Sequence, residues 1–438
     1  MRIVYSAGLF FAAAATSACS LDVPTDTGGN NPIPIELDFC AGDVPVWFAY
    51  QHSSSDFTVI QPDANGTFSF PATNRTAIAF VRQSGSDART DIIFTSNLDL
   101  EQISGFSCLD EVGAKQVNGS VAGLVSDQLG LVSMGFSSVY ATSAQNNFTL
   151  TQLADRPLDV IASRIDVVNL EQHANRTILR RSQNPVNGST MSALNFSTDG
   201  FDPVPNTATV SGVGGEAGFL VNNYFSQLGT SHILSYVEPA LEGANPFVSI
   251  PSLETASGEY HDLFALATTS NGSGVRGVER YFRNAGNQSL VLGPALAEPL
   301  VSVMSATANG VQLRVQMIGQ TSYSTMVTAD FHQETNFAST DVSLSVTASY
   351  FGGTPFEWNL PMPNFAGLPG YQTSWALKTG DIDWTVAAYF GRPQLIFGGP
   401  PNEGETVQFA SRSDTEAASQ LFRSGREFPR PRHFARWR

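Results

Sequence analysis

The sequence predicts a mainly β protein, built of tandem antiparallel β-sandwich modules. Charged residues make up only 14% of the chain against 42% hydrophobic ones, and there are 38 Gly and 30 Phe. So few charges disfavour solvated helix surfaces and favour strands joined by turns. Short apolar or aromatic runs are separated by Gly, Asn, Asp and Pro throughout, the texture of sandwiches and barrels. Val311-Gln312-Leu313-Arg314-Val315-Gln316 alternates strictly, as a strand with one buried face does. At 438 residues the chain exceeds one ordinary core, and length points to two to four domains.

Taken in order, residues 39–114 read as a first sandwich, with strands at Val46–Tyr50, Thr58–Ile60, Thr67–Phe70, Thr76–Val81 and Ile92–Thr95. The Asn65-Gly66 pair supplies a hairpin turn, because both residues tolerate positive φ. Residues 115–200 read as a second sandwich, with strands at Val121–Leu124, Leu131–Tyr140, Phe148–Leu150, Leu158–Ile165 and Thr177–Arg180. Residues 201–299 form a third β-rich module, including Phe247–Leu253 and Asp262–Thr268. A fourth spans 300–411, with strands at Gly310–Gln316, Thr325–Phe331, Val342–Tyr350, Ser374–Leu377 and Asp383–Phe390. Helical patterns are confined to Val167–His173 and Thr415–Phe422. Short echoes between modules, such as Arg75 before Thr76–Val81 and Arg156 before Leu158–Ile165, are compatible with duplication. From 412 to 438 the chain is basic and reads either as a solvated disordered end or as a contact for anionic membrane surfaces.

The N-terminal 18 residues have the layout of a signal peptide: Arg2, an apolar stretch from Ile3 to Ala15, then small residues. The apolar stretch is shorter than the ~20 residues a spanning helix needs. Thr16-Ser17-Ala18-Cys19 resembles the lipobox of bacterial lipoproteins, with Thr16 where an aliphatic residue is usual. That resemblance implies lipidation at Cys19, each buried CH₂ of the lipid contributing ~0.8 kcal/mol to anchoring. Without lipidation, Ala18 suits ordinary signal cleavage. Ser20 after the cysteine implies the outer membrane, by the same resemblance. Residues 19–38 then read as anchor and flexible tether, rich in Asp, Pro, Gly, Thr and Asn. Of 3 cysteines, this leaves Cys40 and Cys108. Export permits a disulfide between them, adding about 4 kcal/mol in the chain-entropy picture; two unpaired thiols are the alternative.

The formal net charge of −16 opposes nucleic-acid phosphates, so no nucleic-acid partner is expected. There is no His-Glu-x-x-His, no Gly-x-Ser-x-Gly, no P-loop and no Cys-x-x-Cys pair, so neither a cofactor nor a metal centre is expected. Gly212–Gly218 lacks the dinucleotide spacing. His332 and Glu334 would share a face of a strand, and Glu259-Tyr260-His261-Asp262 gathers ionisable groups; surface or structural pairs are the simpler reading of both. Trp358, Phe365, Tyr371, Trp375 and Trp384 crowd the C-terminal region. Trp358, Trp375 and Trp384 could offer a stacking platform for glycans or peptides if exposed, or fill cores if not.

Three segments resemble a set of uncharacterised secreted proteins and lipoproteins of high-GC bacteria that carry Ig-like and carboxypeptidase-regulatory-like sandwiches. They are Val44-Pro45-Val46-Trp47-Phe48-Ala49-Tyr50-Gln51, Val117-Asn118-Gly119-Ser120-Val121-Ala122-Gly123-Leu124, and Leu153 to Arg164 with the pair Arg180-Arg181. They cover under half the chain. The resemblance implies a sandwich fold and an exported location and carries no activity. The expected role is a structural or adhesive envelope component without catalysis. A binding module for envelope glycans or peptides comes second, and a hydrolase assembled from scattered residues third.

Overall fold

Alternation builds the strands. In Gly310–Ile318 the side chains of Val311, Leu313, Val315 and Met317 are buried, while Gln312, Arg314 and Gln316 point the other way. The same logic, repeated along the chain, gives a mainly β protein with 58% strand and 5% helix, so the mainly β class is as expected. The computed structural model describes residues 32–39, 44–53, 55–103, 113–168, 171–238, 242–269, 272–335, 338–397 and 399–414. Cys19, Cys40, Cys108, the signal-like segment, Thr415–Phe422 and the basic stretch beyond 414 lie outside the described residues.

Among the described residues, sixteen strands pair into one sheet. From one edge the order is Thr58–Ile60, Trp47–His52, Thr76–Ser84, Asp87–Thr95, Ser339–Thr347, Met326–Glu334, Asp383–Phe390 and Thr406–Ser413. It continues through Gly274–Phe282, Tyr260–Thr268, Ala217–Phe225, Ser231–Val237, Glu171–Gln183, Leu158–Val168 and Gln128–Met134 to Ser137–Thr142. Successive stretches of chain each contribute four strands, but the C-terminal quartet inserts between the first and the third. Asp87–Thr95 and Ser339–Thr347 meet there in parallel, with register from Ala88 opposite Thr340 to Phe94 opposite Val346. The next joint, Gly274–Phe282 with Thr406–Ser413, is antiparallel from Gly274 opposite Arg412 to Arg280 opposite Thr406. The joint of Glu171–Gln183 with Ser231–Val237 is brief, pairing only Gln172 with Tyr236 and His173 with Ser235. An edge strand carries a row of unpaired N–H and C=O groups. At these joints neighbouring quartets satisfy each other's edges, so backbone hydrogen bonding runs on where separate sandwiches would end.

Smaller sheets cover the large one. Ile33–Asp38 pairs with Thr67–Ala72, and Leu37, Phe68 and Phe70 pack on Phe48, Ile78 and Phe80; residues 33–38, expected to end a flexible tether, are instead a strand, because Ile35 and Leu37 alternate onto this core. Leu300–Thr307, Gly310–Ile318 and Glu357–Pro361 form a three-stranded sheet. Its inner face packs Val315, Trp358 and Leu360 against Val327, Phe331 and Leu344. Val204–Ser211, Gly243–Ser249 and Gln288–Val291 cover the third quartet, and Lys115–Ala122 with Asn147–Leu153 the second.

Some local expectations need correction. The helix expected at Val167–His173 is not found in its described residues: Leu158–Val168 and Glu171–Gln183 form an antiparallel pair in which Val167 lies opposite Gln172. Ladder hydrogen bonding there overrides an apolar spacing that also fits a helix. Leu131–Tyr140 is two strands, Gln128–Met134 and Ser137–Thr142, turning at Gly135 with φ +59°. Ser374–Leu377 is not a strand, since Thr373–Trp375 makes a 3-10 turn that seats Trp375 in the core. Short helices at Asn97–Ile103 and Pro393–Ile396 carry no strong periodicity. Arg412 and Ser413 still belong to the last strand.

Candidate functional site

Where the first and C-terminal quartets join, the three-stranded covering sheet leaves a cleft of about 470 Å³, counting the space open to solvent. Its floor is Thr90 and Ile92 of Asp87–Thr95 and Val342 of Ser339–Thr347. Ser305, Thr307, Asn309 and Gln312 of the hairpin joining Leu300–Thr307 to Gly310–Ile318 form one side, and Met362 to Ala366 with Tyr371 the other. Gly310 shapes the turn: its φ is +146°, and a Cβ there would stand 2.7 Å from that of Ala376. The hairpin can therefore close onto Leu377, whose carbonyl accepts from Val311 N–H at 2.8 Å.

An aromatic wall holds the far side. Phe365 and Tyr371 lie 5.5 Å apart between ring centres, and Trp47 packs on both at 5.3 and 5.2 Å. Trp375 meets Tyr371 edge-on at 5.5 Å. The indoles are pinned by hydrogen bonds: Trp47 Nε1 donates to Pro369 O at 3.0 Å and Trp375 Nε1 to Gln83 Oε1 at 3.3 Å. Burial pushes the Tyr371 phenol up to about 12, with Thr90 beside it opposing the shift, so it is a neutral hydrogen-bonding group.

The polar groups of the cleft are hydroxyls and amides. The Ser305 hydroxyl donates to Gln312 Oε1 at 2.5 Å, and Asn364 Oδ1 accepts from Ala366 N–H at 2.9 Å. Thr90 is buried, and its Oγ1 lies beside the Tyr371 phenol without a well-formed hydrogen bond. Among the described residues the lining holds no Asp, Glu, His, Lys, Arg or Cys. Such a site can recognise a neutral ligand by hydrogen bonds and apolar contact.

The expected aromatic platform is placed differently. Trp358 is fully buried, edge-on to Phe351 at 5.9 Å, and its Nε1 makes no hydrogen bond. Trp375 is buried as well, and Trp384 is half-buried against the same core. Trp358 and Trp375 thus fill the core and present no face to a ligand. Phe365 and Tyr371 line the cleft, and no sequence motif marked Thr90, Ser305, Asn309, Gln312 or Asn364. The Asn309-Gly310 turn and the aromatic crowding around Phe365 and Tyr371 were the signals available.

The ionisable groups singled out in the sequence lie elsewhere. His332 and Glu334 do share a face, Nε2 to Oε1 3.5 Å, and His332 Nδ1 lies 2.7 Å from Asp341. Burial alone would lower the His332 pKa, but Asp341 and Glu334 raise it above the ordinary value. The carboxylate of Glu259 is buried and accepts from Arg181, from the Tyr224 hydroxyl at 2.5 Å and from Ala256 N–H at 2.5 Å. Burial pushes its pKa up, and these donors outweigh that and hold it below the usual carboxylate value. His261 is sealed beneath Phe282, stacked at 4.8 Å, and burial drives it down to about 3, with Glu259 opposing. His232, not flagged in the sequence, bridges Ser133 at 2.9 Å and Ser163 at 2.8 Å in a dry interior. Both are neutral structural histidines at pH 7. Among the described residues no cluster of His, Cys, Asp and Glu has metal-binding geometry, and no helix is long and apolar enough to cross a membrane. No family model matches the chain, and no curated protein is significantly similar to it.

Proposed function

We propose that the chain is an exported bacterial envelope lipoprotein, anchored through Cys19 and serving as a structural or adhesive surface component without catalysis of its own. The observation that carries this reading is the unbroken sixteen-stranded sheet. With strands ~4.8 Å apart, such a sheet is a large continuous body suited to spacing or presenting surfaces. Residues 19–32, rich in polar and turn-forming types, would tether that body to the membrane, the folded part starting with the strand Ile33–Asp38. The likeness of Thr16-Ser17-Ala18-Cys19 to a lipobox, and of the N-terminal segments to secreted sandwich proteins, supports the same location, with Ser20 favouring the outer membrane. A disulfide between Cys40 and Cys108 would suit that compartment. The hydrolase reading draws the least support, because His261 is buried and neither it nor His332 lines the cleft.

Envelope fractionation combined with protease treatment of intact cells tests this reading. The expected result is a chain in the membrane fraction that external protease degrades, and that Cys19→Ala releases in soluble exported form. A cytoplasmic chain retaining residues 1–18 would overturn it.

A further inference from the structure

We infer that the basic C-terminal segment docks onto the protein's own large sheet, on the face beside which the chain leaves its last strand. The segment has a distinctive chemistry. Six of the 23 Lys and Arg of the chain fall within residues 423–438, interleaved with Phe428, Phe434 and Trp437 and with Glu427 as the sole acid among them. The chain as a whole carries −16, so this segment and the rest of the protein attract each other.

The sheet presents two complementary rows on one face. Ser413 lies opposite Thr385, so the chain leaves the sheet next to Asp383. On one side of this exit the row Asp383, His332, Asp341 and Arg89 crosses four strands. Asp330 and Glu334 flank it on the strand of His332. Arg82 and Arg89 both bind buried Asp91, at 2.5 and 3.0 Å. Arg89 stands 3.8 Å from Asp330, and Asp341 and Glu334 share the imidazole of His332. Acid therefore exceeds base on an accessible surface: Asp383 and Glu334 are exposed, and Asp330 and Asp341 half-buried. Burial raises the Asp330 pKa, Arg89 opposes the shift, and Asp91 and Asp341 add to it. Further guanidinium groups would relieve that repulsion and pair with the carboxylates.

On the other side of the exit the same face is aromatic. Pairing by way of Gly277 and Leu266 sets Phe409 in one row with Phe219. Phe409, Phe264, Phe219 and Tyr236 follow one another with ring centres 6.0, 5.7 and 5.9 Å apart. Phe264, Phe219 and Tyr236 are half-buried. Guanidinium groups and aromatic rings both pack on such faces. The strand of Tyr236 lies four places from Thr406–Ser413 and that of Asp341 three, ~20 and ~14 Å away at ~4.8 Å per strand. Residues 415–438, extended, can span ~80 Å, so both rows are within reach.

The test uses the purified full chain, so it stands or falls apart from location and anchoring. Trypsin cleavage after Arg423, Arg426 and Arg432 would be timed by mass spectrometry, each rate taken relative to a synthetic peptide of residues 415–438 with the same sequence. The expected result is cleavage about tenfold slower in the full chain, at a rate independent of protein concentration. Asp330→Asn with Asp341→Asn should speed it about fivefold, as the loss of two guanidinium–carboxylate pairs would. Asp127→Asn, an exposed acid before Gln128–Met134, should leave it unchanged. Arg430→Gln with Arg436→Gln alters the segment alone, so the fold of the sheet is not in question, and should speed cleavage by a similar factor. Cleavage as fast as in the peptide would overturn the proposal. So would protection that both double variants leave unchanged. Protection that grows with protein concentration would place the segment on a second copy, and protection seen only with phosphatidylglycerol vesicles would place it on a membrane; either result would overturn docking within one chain.

Discussion

Lowering the pH from 7 to 5 should destabilise this protein through His232, and the size of the effect follows from its surroundings. The imidazole is 1% exposed and its two nitrogens are taken by Ser133 and Ser163. Those hydroxyls bond onward, Ser133 to Ser138 at 2.8 Å and Ser163 to Thr177 at 3.1 Å. No carboxylate touches the ring in that network, so nothing compensates a second proton, and burial drives the pKa from 6.5 down to about 3. A folded pKa below the unfolded one means that the unfolded chain takes up the proton first as pH falls. The contribution is therefore whole above about pH 6.5 and is lost toward pH 3 at ~1.4 kcal/mol per pH unit. Between pH 7 and 5 that integrates to about 2 kcal/mol for His232. His261, also driven to about 3, adds a similar loss. The assay is urea denaturation at the two pH values, wild type beside His232→Gln. The variant should start less stable at pH 7, having lost part of the serine network, and the gap to wild type should narrow by about 2 kcal/mol at pH 5. An equal pH dependence in both proteins would refute the dry, neutral histidine.

Trp358→Ala should cost about 3–5 kcal/mol and Trp384→Ala clearly less, as read by chemical denaturation, because only Trp358 is fully enclosed. Equal losses would contradict the assigned burial. Gly310→Ala forces a side chain into a φ of +146° and against Ala376, so thermal melting should report a loss of about 1–3 kcal/mol; an unchanged melting temperature would mean that the hairpin does not close on Leu377. Amides of Ser339–Thr347 should exchange hydrogen as slowly as those of Met326–Glu334, since pairing with Asp87–Thr95 closes their other side. Fast exchange confined to the side facing Asp87–Thr95 would break the joint. Glu259→Gln weakens the hydrogen bonds that Arg181, Tyr224, Ala256 and Gln227 donate to a buried carboxylate and should cost about 2 kcal/mol at pH 7, whereas an unaffected midpoint would show that the Arg181 contact forms only transiently.

The strands were legible because each carries its own signal. Thr58–Ile60 and Asp383–Phe390 end where the turn residues place them, and the alternation around Val311 gives its buried face directly. The order of the strands was not legible. Ser339–Thr347 lies beside Asp87–Thr95, about 250 residues earlier, and nothing local in either strand names its partner. Edge pairing is decided by unsatisfied backbone groups, which every sequence has. The candidate site escaped for a related reason. Thr90, Gln312 and Asn364 converge from three distant segments, and each alone is an ordinary polar residue. The aromatic crowding did mark the right region, but burial divided it. Phe365 and Tyr371 came to the cleft, while Trp358 and Trp375, the larger apolar bodies, went to the core. The buried setting of His232 and His261 was not legible, because the partners, Ser133 and Ser163 for one and Asn222 and the Ile250 N–H for the other, come from other segments and leave no spacing pattern.

The most direct test of the envelope proposal is the intact mass of the membrane-extracted protein, wild type beside Cys19→Ala. The expected result is a chain beginning at Cys19 that carries a diacylglycerol-sized addition, absent from the variant. A wild-type chain beginning at Cys19 with an unmodified mass would contradict the anchor and leave a soluble exported protein with a spare thiol.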